Sequence, residues 1–154
     1  MLHSDLGYLV PVRRLAAAAL VLLTACVGPA RSFNSYRGKA GATAADMVSA
    51  VETGRVAVET AMRGRAFAPY LSVVLSEAED DASAIQGTFD SIQPPDPRSD
   101  QLRSQLDDLM TPAVSSLSDL RIAARRGEFA RLPSLAESLA KLSDQLNSFA
   151  EANS

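Results

Sequence analysis

Cys26 is the one cysteine in this chain and His3 the one histidine, and there is no tryptophan. A single thiol cannot close a disulfide within the chain, so Cys26 is either a small buried hydrophobe or a site of modification. Beyond Cys26 there is no imidazole at all. The side chains that most often serve as nucleophile, general base or transition-metal ligand are therefore missing from the bulk of the chain. Histidine-ligated haem and a Glu-x-x-His di-iron site are excluded with them. Composition leaves serine or carboxylate catalysis open, but no motif for either is present. The expectation is a protein that is not an enzyme and takes no metal and no cofactor.

The charged residues offer three further candidates. Glu77, Glu79, Asp80 and Asp81 form the densest acidic run. Successive helical residues point about 100° apart, so the four cannot converge on one cation, and a solvated face with Glu77 paired to Arg55 is expected. Asp81 stands where a strict heptad wants a core residue, with Ala82 one position later. A turn centred near Asp96 sets Asp81 opposite Thr111 and beside Pro112, which makes Asp81 and Thr111 a candidate interhelical polar site. The other reading turns Asp81 to solvent, because a buried unpaired carboxylate is costly. Third, Arg63, Arg65, Arg121, Arg125, Arg126 and Arg131 gather where two helices end and a third begins. Cations there complement the helix dipole. The same six also form a candidate surface for an anionic envelope polymer or an acidic protein partner. The formal charge of −3 is mild and gives no sign of nucleic acid as a partner.

The first thirty residues carry an address. Basic Arg13 and Arg14, an apolar run over 15–23 and small Thr24 and Ala25 follow the order of a secretory signal. Residues 15–27 fall short of the roughly 20 apolar positions that a spanning helix needs before Gly28 and Pro29 interrupt it. Leu23, Thr24, Ala25 and Cys26 together resemble the lipobox of bacterial lipoproteins, an aliphatic residue and two small ones before a cysteine. The resemblance covers only the leader. It implies cleavage before Cys26, a diacylglyceryl group on the Cys26 thiol, fatty-acyl chains such as palmitate, and attachment to the cell membrane on its extracytoplasmic side. Two acyl chains anchor stably where one is marginal. Cleavage near Ala30 and an uncleaved anchor are the alternatives. His3, Asp5 and Pro11 add nothing to a compact basic region, which points to a start at Val10 or Val12.

These groups need elements to hold them. Helix-formers dominate, with 47% hydrophobic residues and only 5% aromatics. Residues 26–42 read as a lipidated cysteine and a flexible tether, broken by Gly28, Pro29, Gly38 and Gly41, with Arg31, Arg37 and Lys39 near the lipid surface. From a Thr43 cap, Ala44, Met47, Val51, Gly54, Val58 and Ala61 form a helical seam ending near Gly64. Pro69 opens a second helix with a stripe of Leu71, Val74, Ala78, Ala82, Ile85, Phe89 and Ile92. Prolines make 93–98 a stiff loop, and Ser99 or Asp100 caps a third helix. That helix runs through Leu102, Leu106, Leu109, Ala113, Leu117, Leu120 and Ala124 to Gly127, with a kink expected at Pro112. A fourth carries Leu132, Leu135, Leu139, Leu142, Leu146 and Phe149.

The predicted fold is all-α: an up-down-up-down antiparallel four-helix bundle over 43–154, after a cleaved signal peptide (1–25) and a flexible tether. The expected role is that of a membrane-anchored, non-enzymatic helical binding module of the cell envelope. The alternative is a small-molecule or ion-binding lipoprotein with a cavity near Gly54, Asp81, Thr111 and Pro112.

Overall fold

The computed structural model describes residues 30–65 and 67–154, and the described chain is all-helical, without a strand. Four helices follow one another: α1 (Phe33–Met62), α2 (Ala68–Asp90), α3 (Pro97–Arg125) and α4 (Leu132–Ala152), with a 3-10 turn at Phe129–Arg131 before α4. Cys26 and the lipobox residues Leu23, Thr24 and Ala25 lie outside the described residues, as does the whole expected signal. None of the described helices is long and apolar enough to cross a membrane.

Local chemistry sets the helix ends. Ser32 caps α1, its hydroxyl accepting a hydrogen bond from the Ser35 amide at 3.3 Å. Residues 33–42 are therefore the first turns of α1 rather than a flexible tether, and the cap lies at Ser32 rather than Thr43. Gly38 and Gly41 do not stop the helix, because Tyr36, Ala40, Gly41 and Ala44 are buried and packing outweighs their propensity cost of about 1 kcal/mol per glycine. At α3 the cap is Asp96 rather than Ser99 or Asp100. Its carboxylate accepts from the Ser99 amide at 2.9 Å and from the Ser99 hydroxyl at 3.0 Å, and Pro97 occupies the first turn. α1 and α3 both end in a glycine at φ +70°, Gly64 and Gly127. In each case the glycine amide donates to the carbonyl three residues back, Ala61 or Ala124. The next amide donates five back, to Thr60 or Ala123, which closes a Schellman motif.

α1 packs on α2 and α4, α3 packs on α2 and α4, and α1 also meets α3 across the core, whereas the backbones of α2 and α4 do not approach each other closely. Side-chain pairs give the register. Arg103 pairs with Asp90, Gln86 with Thr111 and Glu79 with Arg121, so numbers rise along α3 as they fall along α2. Glu52 with Ser143, and Gly41 beside Asn153, set α1 against α4 in the same counter-running way. Helix α3 continues through Pro112 without a break.

The seams are buried largely as the periodicity predicts, with Ala61, Val74, Ile85, Leu109, Leu135, Leu142 and Phe149 only partly covered. They converge at Gly54. A Cβ there would come 2.5 Å from Leu117 Cδ2, 3.7 Å from Leu75 Cδ2 and 3.8 Å from Leu139 Cδ2, one residue from each other helix. Around Gly38, by contrast, nothing lies within 4 Å.

Gly38→Ala should therefore stabilise the fold by up to about 1 kcal/mol through helix propensity alone. Gly54→Ala gains the same propensity but overpacks Leu117, and it should come out destabilising by about 1–2 kcal/mol. Pairing Gly54→Ala with Leu117→Ala should recover part of that loss as a favourable coupling in urea unfolding.

Candidate functional site

The connection between α1 and α2 and the connection between α3 and α4 lie at one end of the molecule. Ala61, Met62, Ala68, Leu71 and Phe129 line a single pocket there, and Arg63 shares a groove with Pro133. This brings the six arginines picked out by sequence to one pole, but they do not act alike. Arg121 is locked to Glu79 by a two-pronged contact between α3 and α2: Nε donates to Oε2, and Nη2 donates to Oε1 at 3.2 Å. Both side chains are about one-fifth exposed, and the guanidinium holds the Glu79 carboxyl below the usual carboxylate range. Arg121 is thus a strut between helices. Arg63 pairs with Glu59 at 3.2 Å and Arg131 pairs with Glu128. Arg65, Arg125 and Arg126 are exposed and form no ion pair within 4.0 Å among the described residues. The three unpaired guanidiniums flank Gly64 and Gly127, so the two tight turns that end α1 and α3 also present them.

The expected pairing of Arg55 with Glu77 does not form. Arg55 instead bridges Glu52 and Glu59 on its own helix, because i+3 and i+4 neighbours are within reach without crossing to α2. Glu52 in turn accepts from the buried Ser143 hydroxyl at 2.8 Å, and the Arg55 contact lowers its pKa.

Asp81 and Thr111 are not brought together either. Thr111 accepts from Gln86 Nε2 at 3.1 Å, so the register between α2 and α3 is offset by five residues from the expected one. Gln86 with Thr111 and Glu79 with Arg121 are each symmetric about a point C-terminal to Asp96, so the expected centre at Asp96 lies too early in the chain. Asp81 is exposed and faces the other way, into an open groove of about 540 Å³ between α1 and α2. Asp46, Ser49, Thr53 and Thr88 line the same groove. No group of three or more metal-ligating side chains occurs among the described residues.

The opposite end of the fold has its own chemistry. Tyr36 packs on Phe89 with ring centroids 5.5 Å apart, and the Arg98 guanidinium lies 4.5 Å above the Phe33 ring. Two buried side-chain oxygens there, the Tyr36 hydroxyl and Asp107 Oδ1, have no hydrogen-bond partner among the described residues. Burial raises the Asp107 carboxyl above its usual range, and nearby Asp90 adds to the rise. Arg103 opposes it weakly from 3.7 Å, being drawn to Asp90 at 3.3 Å.

Sequence periodicity missed a second population at the arginine pole. Met62, Phe67, Tyr70, Val73 and Phe129 are large, apolar and exposed. The signal was the run from Tyr70 to Leu75, which is apolar on more faces than one seam can cover. No family model matches this chain, and no curated protein or solved structure matches it.

The two shifted carboxyls predict opposite pH effects. Glu79 is depressed, so its contribution is present above the ordinary carboxylate pKa and is lost as pH falls through the lower folded value. Asp107 is raised, so its charged form weakens the fold at neutral pH, and the penalty declines as pH falls below the raised folded value and is gone below the ordinary carboxylate pKa. In melting curves across pH, Glu79→Gln should lower Tm at pH 7 and lose its effect in acid. Asp107→Asn should raise Tm at pH 7 and likewise lose its effect in acid.

Proposed function

We propose that this protein is a membrane-anchored bacterial lipoprotein whose helical domain is a non-enzymatic interaction module of the cell envelope. In this reading the chain is cut before Cys26 and held on the extracytoplasmic face by a diacylglyceryl group on that thiol. Leu23, Thr24, Ala25 and Cys26 behind Arg13 and Arg14 support the anchor. The helices form an up-down-up-down antiparallel four-helix bundle, supported by the counter-running pairs between α2 and α3 and between α1 and α4 and by the separation of α2 from α4. The bundle begins close to its anchor, because the stretch between Cys26 and Phe33 reaches at most about 25 Å. The binding end is the arginine pole. The observation that carries this is the set of three unpaired guanidiniums, on Arg65, Arg125 and Arg126, at the far end of α1 from Ser32.

A second reading, a small-molecule or ion-binding lipoprotein, draws support from the groove between α1 and α2. There Asp46 and Asp81 stand among the hydroxyls of Ser49, Thr53 and Thr88. The groove is open rather than enclosed, and a site that buries most of a ligand needs a deeper cleft.

Metabolic labelling with fatty acid tests the anchor. Cys26→Ala should abolish label incorporation and release the protein from the membrane, and label retained on the variant would refute lipidation at Cys26. Crosslinking in the native envelope tests the pole. Arg65→Gln, Arg125→Gln and Arg126→Gln combined should reduce crosslinked partner strongly at low salt, whereas Asp46→Asn with Asp81→Asn should leave it unchanged.

A further inference from the structure

Among the described residues, six large apolar side chains stand exposed, and five of them are at the arginine pole: Met62, Phe67, Tyr70, Val73 and Phe129. The sixth, Val56, lines a groove together with Tyr70. Phe67 is 86% exposed and Tyr70 61%, so the first of these aromatics is almost wholly outside the fold and the second more than half so. Single exposed apolar residues are ordinary on protein surfaces, but a cluster confined to one end is not.

The same end concentrates positive charge. Six arginines lie around the two turns; Glu59, Glu79 and Glu128 pair with Arg63, Arg121 and Arg131, which leaves Arg65, Arg125 and Arg126 without an ion pair among the described residues. An acidic polymer in solution would satisfy the free guanidiniums of Arg65, Arg125 and Arg126 but leave Phe67, Tyr70 and Phe129 in water. A bilayer of anionic phospholipid satisfies both. Its phosphates attract guanidinium, aromatic rings settle at the headgroup level, and aliphatic tips reach the acyl boundary. Schellman hydrogen bonds at Gly64 and Gly127 fix the chain at the ends of α1 and α3, where the arginines stand.

We propose that the pole is a membrane-insertion tip selective for anionic phospholipid bilayers, with Phe67, Tyr70 and Phe129 as the inserting side chains and Arg65, Arg125 and Arg126 as headgroup contacts. This rests on the reading of the arginine pole as the binding end and names its partner. The rise of α1 separates the tip from Ser32 by about 45 Å, so the tip is an attachment distinct from an acyl anchor on Cys26.

Because the chain has no tryptophan, Phe67→Trp places one indole at the most exposed of these positions. The variant, purified as its host processes it, is mixed with phosphatidylcholine vesicles, with vesicles of equal phosphatidylcholine and phosphatidylglycerol, and with soluble polyphosphate. Insertion predicts a blue shift of emission, with quenching by brominated lipid, on the phosphatidylglycerol vesicles alone. Adding Arg125→Gln and Arg126→Gln should raise the anionic lipid needed for half the shift by about thirty-fold, from the loss of two surface charges. Equal emission with both vesicle types overturns the proposal. Polyphosphate binding without a shift on anionic vesicles also overturns it, while leaving the pole as an anion site. Binding to neither removes the reading of the pole as well. Flotation with phosphatidylcholine vesicles reports the acyl anchor separately.

Discussion

The close approach of α1 to the other three helices depends on the missing side chain at Gly54. Leu117 fills the space that a Cβ would take, and Leu75 and Leu139 pack around it. This lets α1 and α3 meet across the core while α2 and α4 stay apart on either side. The rest of α1 follows the same logic. Its buried face is rich in small residues, Ala40, Gly41, Ala44, Ala50 and Ala57, whereas α2, α3 and α4 contribute leucines such as Leu71, Leu106, Leu120 and Leu146. Between these small residues α1 also buries Tyr36, Met47, Val51 and Val58, so large side chains alternate with places where a neighbouring helix comes close. Tight packing of this kind is sensitive to a single added methyl group, because interiors have little free volume to absorb it.

The two ends of the molecule resolve their aromatic and arginine residues in opposite ways. At the end that holds the start of α1, Tyr36 and Phe89 are buried against each other, and Arg98 covers the Phe33 ring. At the other end, Phe67 and Tyr70 are exposed, and Arg65, Arg125 and Arg126 form no ion pair within 4.0 Å among the described residues, although the Arg125 charge reaches Glu79. Arg121 with Glu79 and Arg103 with Asp90 knit α3 to α2. Unpaired arginines complement the C-terminal dipoles of α1 and α3, which gives the cluster a structural reason of its own. The coincidence of free cations with exposed apolar side chains is what the dipole alone does not explain.

Much of the fold was legible in the order of apolar residues. Leu132, Leu139 and Leu146 are buried on one face of α4, and the glycines foreseen near two helix ends, Gly64 and Gly127, do sit at positive φ. The first turns of α1 were not legible. Gly38, Gly41 and three interleaved cations read as linker, because small residues carry little hydrophobic signal even when a neighbouring helix covers them. The cap at Asp96 was hidden by competing Ser99 and Asp100, each an ordinary capping residue. The pairing of α2 with α3 was misplaced separately, by taking Asp96 as the centre of the turn, and Gln86 rather than Asp81 meets Thr111.

What the sequence by itself determined is helical period, helix number and the gathering of arginines around two chain reversals, since periodicity, proline and glycine act locally along the chain. It also holds the Cys26 motif, which is read without reference to any fold. Only the tertiary structure decided which charges are spent on internal pairs and which remain free. Glu79 and Arg121 are 42 residues apart, and their meeting depends on the register between α2 and α3. Exposure of Phe67 and Tyr70 was decided in the same way. A side chain's burial depends on what covers it, and at this pole no described helix does.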